Sequence, residues 1–245
     1  MSAQAQESES MLSAMWRLTL RALPAVLIAV IALDLTPAID LRLSGLFYRP
    51  GEGFFLGNSW PAQLLYKGTP WLIGGIAVAL LATLAWASLA RPPQARRIRN
   101  ATIFALLALL IGPGLIVNSV LKEHWGRPRP EQIAEFGGKA SFVPALWPSR
   151  QCGHNCSFPS GHAAAGFFLI TGAWIWPRRR RAWRIVGISA GSLIGLARIA
   201  QGGHFLSDVL GALIVVWFTN EVLYWWMLGR GWLEPPPQPA PPGKA

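Results

Sequence analysis

Charge is scarce in this sequence, and negative charge most of all. Only 13% of its 245 residues are charged, with 11 acidic against 22 basic residues and a formal charge of +11. An ordinary soluble domain carries roughly 25% charged residues, so a water-soluble globule of this length could not cover its surface. Cysteine is limited to Cys152 and Cys156, too few for a disulfide-built miniprotein. Hydrophobic residues reach 52%, which excludes intrinsic disorder. No stretch alternates with period two, which argues against a barrel. What is present are six apolar runs near the ~20 residues that a bilayer crossing needs. They lie at 22–39, 71–90, 101–121, 159–177, 185–202 and 205–228. Backbone groups in hydrocarbon must be satisfied internally, so these runs read as helices. The expected fold is all-α, a polytopic membrane protein with six transmembrane helices in one bundle over 16–230. A flexible cytoplasmic N-terminus (1–15) precedes it, and a Pro-rich cytoplasmic tail (231–245) follows.

The basic residues set the orientation. Arg91, Arg96, Arg97 and Arg99 follow the second run, and Arg178 to Arg181 with Arg184 follow the fourth, with no acid in either connection. The positive-inside rule places these connections in the cytoplasm, and those after runs one, three and five on the far side. Apolar helices flank the Arg178–Arg181 cluster on both sides, so nucleic acid is not an expected partner; the bilayer and a membrane lipid are. The first run reads as a retained helix, because no clean small-x-small cleavage site follows it. Gly187, Gly191 and Gly195 form a small-residue face for close packing on the fourth run, near Gly161 and Ala165. Gly112-Pro113-Gly114 is expected to kink the third helix. Residues 40–70 read as a far-side connection.

The few polar residues are not scattered. From Arg99 to Lys122 is about 34 Å along a helix, from His162 to Arg178 about 24 Å, and from Arg184 to Arg198 and His204 about 21 and 30 Å. Measured from the inner arginine belts, all of these groups reach the outer interface. Ionisable residues at membrane depth are costly and functional by default.

Three segments carry them. The first, Lys122-Glu123-His124-Trp125-Gly126-Arg127-Pro128-Arg129-Pro130, is dense in the cations that suit a dianionic phosphate. In the second, Ser157-Phe158-Pro159-Ser160-Gly161-His162, Pro159 opens a helix, and Ser160 and Gly161 offer free N–H groups to an anion. In the third, Gly202-Gly203 breaks a helix, and His204 and Asp208 lie i,i+4 on one face. A carboxylate there can fix one imidazole tautomer.

Together these segments resemble the type-2 phosphatidic acid phosphatase superfamily, whose pattern is K-x6-RP, PSGH and SR-x5-H-x3-D. Lys122 with Arg129-Pro130, Pro159 to His162, and Arg198, His204 and Asp208 match it in order and spacing; Ala197 stands where the pattern has Ser. The resemblance implies a metal-independent, cofactor-free phosphatase that forms a phosphohistidine. It makes His204 the nucleophile, Asp208 its orienting partner and His162 the general acid and base. Lys122, Arg129, Ser160, Gly161 and Arg198 would bind phosphate. Arg127 and His124, outside the strict motif, are expected at a second phosphate or head group. Cys152 and Cys156, in an outer loop, can form a disulfide or remain thiols. The implied setting is a bacterial inner membrane with the active site facing the periplasm. Substrates in the superfamily include phosphatidic acid, phosphatidylglycerol phosphate, undecaprenyl pyrophosphate and lipid A phosphates. Transfer of the phosphate to a second lipid is the alternative to hydrolysis. The outer loop between the first two motifs adds Lys139, Trp147, Arg150 and His154, which suit a bulky, multiply charged head group.

Overall fold

A computed structural model describes residues 37–233 together with Ile28. The expected first span lies mostly outside the described residues, as do the N-terminal segment and nearly all of the Pro-rich tail. The described chain forms α1 (Pro37–Gly45), a hairpin of β1 (Tyr48–Arg49) and β2 (Gly53–Phe54), and α2 (Trp60–Leu89). Then come α3 (Ala95–His124), α4 (Gly161–Ile175), α5 (Arg180–Ala200) and α6 (Leu206–Gly229).

Among the described residues, four helices are long and apolar enough to cross a bilayer: Trp60–Leu89, Ala95–His124, Pro177–Ala200 and Leu206–Gly229. The chain is an all-α, multi-pass membrane protein. The fourth expected span is a shorter apolar helix, α4, which passes through a 3-10 turn at Phe168–Thr171. It stops ahead of Pro177, which has no N–H to continue a helix.

Two boundaries differ from expectation for physical reasons. Residues 40–70 are not simply a connection, because α2 begins at Trp60 rather than 71, with Pro61 in its first turn and Pro70 inside it. Pro70 costs the helix one hydrogen bond without ending it. The irregularity expected at Gly112-Pro113-Gly114 takes the form of a π-helix over Leu110–Leu121. There the Asn118 amide donates to the Pro113 carbonyl (2.7 Å) and the Ser119 hydroxyl to that of Gly114 (3.2 Å), side-chain bonds that add to the wider winding.

The core runs along the inward faces of α3, α4, α5 and α6, through Phe104, Val117, Phe167, Ile170, Ile199, Val209 and Val216. A Cβ on Gly187 would strike Ile170, and one on Gly191 would strike the Phe167 ring, so α5 lies directly against α4. The rest of the expected glycine face points elsewhere: Gly195 meets Val209 of α6, and Gly161 meets Asn118 of α3. On the outside, α2 exposes Leu64, Trp71, Val78, Leu81, Trp86 and Leu89, an apolar surface suited to lipid.

Candidate active site at one end of the bundle

The last turn of α3 carries Lys122, the start of α4 carries Ser160 to His162, and the end of α5 carries Arg198. Gly202, at φ +71°, turns the chain so that His204 and Asp208 enter α6 beside them. The three segments interlock through backbone bonds. Cys156 N–H donates to the Lys122 carbonyl, Ser157 N–H to that of Arg127, and Ser160 N–H to that of Asp208, at 2.9, 2.9 and 3.0 Å.

His204 is buried, and its Nδ1 lies 2.7 Å from the Ser157 carbonyl. A carbonyl only accepts, so Nδ1 carries the proton and Nε2 keeps its lone pair. The Asp208 carboxylate is 3.5 Å from Nδ1, and it also accepts the Ser157 hydroxyl (2.5 Å) and the Phe205 N–H (2.7 Å). Asp208 therefore holds His204 both through the field of its charge and through Ser157. Burial pushes the imidazole down from 6.5 to about 3, an effect that Asp208 opposes and Arg198 and Lys122 reinforce. Burial thus favours the neutral ring, whose Nε2 lone pair stays open.

His162 is half-buried and stacks on Tyr66 of α2, with centroids 4.8 Å apart and planes at 27°. Its ring also lies beside the Tyr66 backbone carbonyl. That carbonyl is available because its usual partner, the residue four positions on, is Pro70, which has no N–H. On the same Tyr66 ring rests the Arg198 guanidinium, 4.5 Å from the centroid. Arg198 donates to the Gln201 side chain, while its buried Nε has no hydrogen-bond partner among the described residues. A Cβ at position 203 would collide with this guanidinium, which is why glycine stands there.

Lys122 lies within electrostatic range of Arg129, Arg198 and Asp208. Arg129 is half-buried and donates to the Asn155 carbonyl at 2.9 Å. The Ser160 side chain caps α4 through Ala163 N–H, leaving the N–H groups of Gly161 and His162 at the helix start. Three cations, two open N–H groups and two imidazoles thus converge. The arrangement can bind a tetrahedral oxyanion and offer nitrogen on one side and a proton donor on the other.

One expected head-group contact falls elsewhere. Arg127 is fully buried with its donors committed: Nε to the Val143 carbonyl, one terminal nitrogen to Ser207 Oγ and Asp208, the other to Asp40. It braces Asp208 (2.5 Å) and Asp40 (2.9 Å) and is not available to a ligand, because a guanidinium taken from water must be paired on every side. His124 is exposed, with its Nδ1 2.8 Å from the Val120 carbonyl of its own helix. Cys152 and Cys156 are joined as a disulfide in the loop that leads to Ser157.

Sequence reasoning missed Asp40, Tyr66, Ser157 and Ser207. Asp40 had a signal: it is one of few acids, beside an apolar run. It bonds Ser207 through both backbone N–H and hydroxyl, and burial pushes its carboxyl up from the ordinary range against the pull of Arg127. Ser157, Ser207 and Tyr66 had none, because their roles depend on which helices meet.

The PAP2 superfamily model matches residues 101–232, which contain all three segments. The chain belongs to the PAP2 superfamily. A lipid A 4'-phosphatase of Francisella tularensis subsp. novicida is 35% identical over 198 residues, 77% of this chain and 86% of that protein. A lipid A 4'-phosphatase of Rhizobium etli is 44% identical over 133 residues, 54% of this chain and 49% of its own. Phosphatidylglycerophosphatase B of Bacillus subtilis is 30% identical over 115 residues, 43% of this chain and 49% of its own. No solved structure matches significantly. PAP2 membership makes the protein a membrane-embedded phosphatase, as the three segments implied.

Proposed function

We propose that this PAP2 protein is a lipid phosphatase that removes the 4'-phosphate of lipid A at the outer leaflet of a bacterial inner membrane, through a phosphohistidine. The observation that carries the chemistry is the Nδ1 bond from His204 to the Ser157 carbonyl, which leaves Nε2 free for phosphorus. Nε2 attacks, the N–P bond forms and the P–O bond to the sugar breaks. His162, protonated when the phosphate dianion is bound beside it, delivers that proton to the departing oxygen and is left neutral. Lys122, Arg129, Arg198 and the N–H groups at the start of α4 hold the equatorial oxygens, whose charge spreads in the transition state. His162 then takes a proton from water, water attacks the phosphoimidazole, and free phosphate leaves. The Asp208 carboxylate, held in place by Arg127, offsets the positive ring that forms on His204.

The substrate reading rests on the relatives, since the one covering 86% of its own length is a lipid A 4'-phosphatase. It is supported by the outer loop, where Lys139, Trp147, Arg150 and His154 are all exposed. A phosphorylated disaccharide uses such groups: indole faces for sugars, and Lys and Arg for a further phosphate. The test is expression in a cell that makes bis-phosphorylated lipid A, followed by mass spectrometry of the extracted lipid. Loss of one phosphate from the 4' position, absent with His204→Asn, is the expected result. Unchanged lipid A beside rapid hydrolysis of phosphatidylglycerol phosphate or undecaprenyl pyrophosphate overturns the substrate. Phosphate recovered on another lipid, with none free, overturns hydrolysis.

A further inference from the structure

The two imidazoles of the site are held in different ways. His204 has a carbonyl and a carboxylate at its Nδ1. His162 has neither a carboxylate nor a side-chain hydrogen bond among the described residues, and the charges that act on it are the cations Arg198, Lys122 and Arg129. What orients its ring is Tyr66 of α2. The two rings stack with centroids 4.8 Å apart, inside the range of an offset aromatic pair.

Tyr66 is not there to fill the core. The buried residues of α2 are Ala62, Thr69 and Ala87, whereas Tyr66 is 38% exposed. Ala62 and Thr69 lie four positions before it and three after, so all three share the face that meets the bundle. The ring contacts of Tyr66 are both with groups of the site: the His162 imidazole and the Arg198 guanidinium, 4.5 Å from the centroid. The face of a phenol ring attracts such a cation. Arg198 is held a second time. It donates to Gln201, whose own amide donates to the Gly57 carbonyl (3.2 Å) just ahead of α2. A proton donor and a phosphate-binding cation are thus set against one ring.

We propose that Tyr66 is a positioning residue for the phosphatase reaction. Its ring fixes the spacing between His162 and Arg198, so that the imidazole faces the leaving oxygen of a phosphate whose equatorial oxygens Arg198 holds. The proposal rests on the reading of His204 as nucleophile and His162 as acid and base. Tyr66 acts through His162 in both half-reactions: the proton goes to the leaving oxygen in the first and comes from the attacking water in the second. General acid–base catalysis contributes about 10²–10⁴-fold, and a misplacement of about 1 Å forfeits much of it. Gln201 still holds Arg198 when the ring is lost, so chemistry should suffer more than binding.

The experiment uses the full chain in detergent micelles, with bis-phosphorylated lipid A and p-nitrophenyl phosphate as probes. On lipid A, Tyr66→Leu and Tyr66→Met should lower kcat about 10-fold or more while KM changes less than about 3-fold. Tyr66→Phe, which keeps the ring, should restore kcat to within about 3-fold of wild type. p-Nitrophenyl phosphate separates the half-reactions, because nitrophenolate leaves without a proton. The N–P bond to His204 forms and the P–O bond breaks without help from His162, but the water that follows still needs it as base. Tyr66→Leu should therefore give a stoichiometric burst of nitrophenolate, then slow turnover with phosphoenzyme accumulating. A loss of packing alone would slow both phases together. His162→Gln should show the same burst with a still slower second phase. A wild type that spares lipid A but turns over p-nitrophenyl phosphate overturns the substrate alone, and the burst still tests Tyr66. If His162→Gln loses nothing on either probe, the reading of His162 falls and this proposal with it. If His162→Gln behaves as expected, wild-type kinetics in folded Tyr66→Leu and Tyr66→Met, or an equal loss in Tyr66→Phe, overturns the role of the Tyr66 ring alone.

Discussion

At the residue scale, the site depends on where one proton sits. The Ser157 carbonyl fixes it on Nδ1 of His204, and Asp208 and Arg127 fix Ser157 in turn. His204→Asn should therefore abolish phosphate release and the acid-labile phosphoenzyme together, while the protein still elutes as a folded species. Asp40 is buried behind Arg127, and Asp40→Asn removes one charge from a buried cluster in which Arg127 is shared. Breaking a buried pair costs about 3–5 kcal/mol. The expected result is a lower melting temperature and a lower kcat with little change in KM. The folded pKa of His204 also makes stability depend on pH. Because it lies near 3 rather than 6.5, the unfolded chain takes up a proton between those values that the folded chain refuses. The contribution is complete above pH 6.5 and is lost as pH falls toward 3. Melting temperature in detergent should fall over that window, and His204→Gln should flatten the fall; equal slopes would remove His204 as its source. Of this machinery, the His204–Asp208 pair was legible from i,i+4 spacing alone. Arg127 was legible as important but misplaced, since a basic motif does not say which cation faces outward. The difference lies in Asp40, 87 residues away, which draws it inward.

At the scale of elements, proline and glycine do the positioning. Pro70 lies inside α2 without ending it, and it leaves the Tyr66 carbonyl, near His162, without its usual helical donor. Pro70→Ala would supply an N–H to that carbonyl within α2 and compete with the imidazole. The predicted effect is a more regular helix with equal or higher thermal stability, and a kcat reduced several-fold at constant KM. A change in KM alone would show that this carbonyl does not position His162. Gly191 acts through space, because the Phe167 ring occupies the volume of its Cβ. Gly191→Val should force α5 from α4 at a cost of about 1–3 kcal/mol or more. Since α5 carries Arg198, activity should fall with stability. The glycine spacing and the α4 partner were readable in the sequence. The π-helix in α3 was not, because i→i+5 winding leaves no periodic mark over a segment that is apolar on nearly every side.

For the whole molecule, the inner arginine belts and the outer cluster imply an orientation that activity alone does not report. Lys139 lies on the exposed loop between the first two motifs, and Gln94 in the exposed turn between α2 and α3. With Arg91, Arg96, Arg97 and Arg99 around it, Gln94 is expected on the cytoplasmic side by the positive-inside rule. Lys139 should then face the periplasm, with His204 and the disulfide of Cys152 and Cys156, which an oxidising compartment maintains. A single cysteine placed at either position, in a Cys152→Ser/Cys156→Ser background, makes this measurable. A membrane-impermeant maleimide applied to intact spheroplasts should label Lys139→Cys and leave Gln94→Cys unmodified until the membrane is opened. Retained phosphatase activity in the background shows that the loop folds without its bridge. If Gln94→Cys labels first, the active site faces the cytoplasm, and an outer-leaflet lipid cannot reach it. If both label in intact cells, the two ends share a side, which a single crossing by α3 forbids.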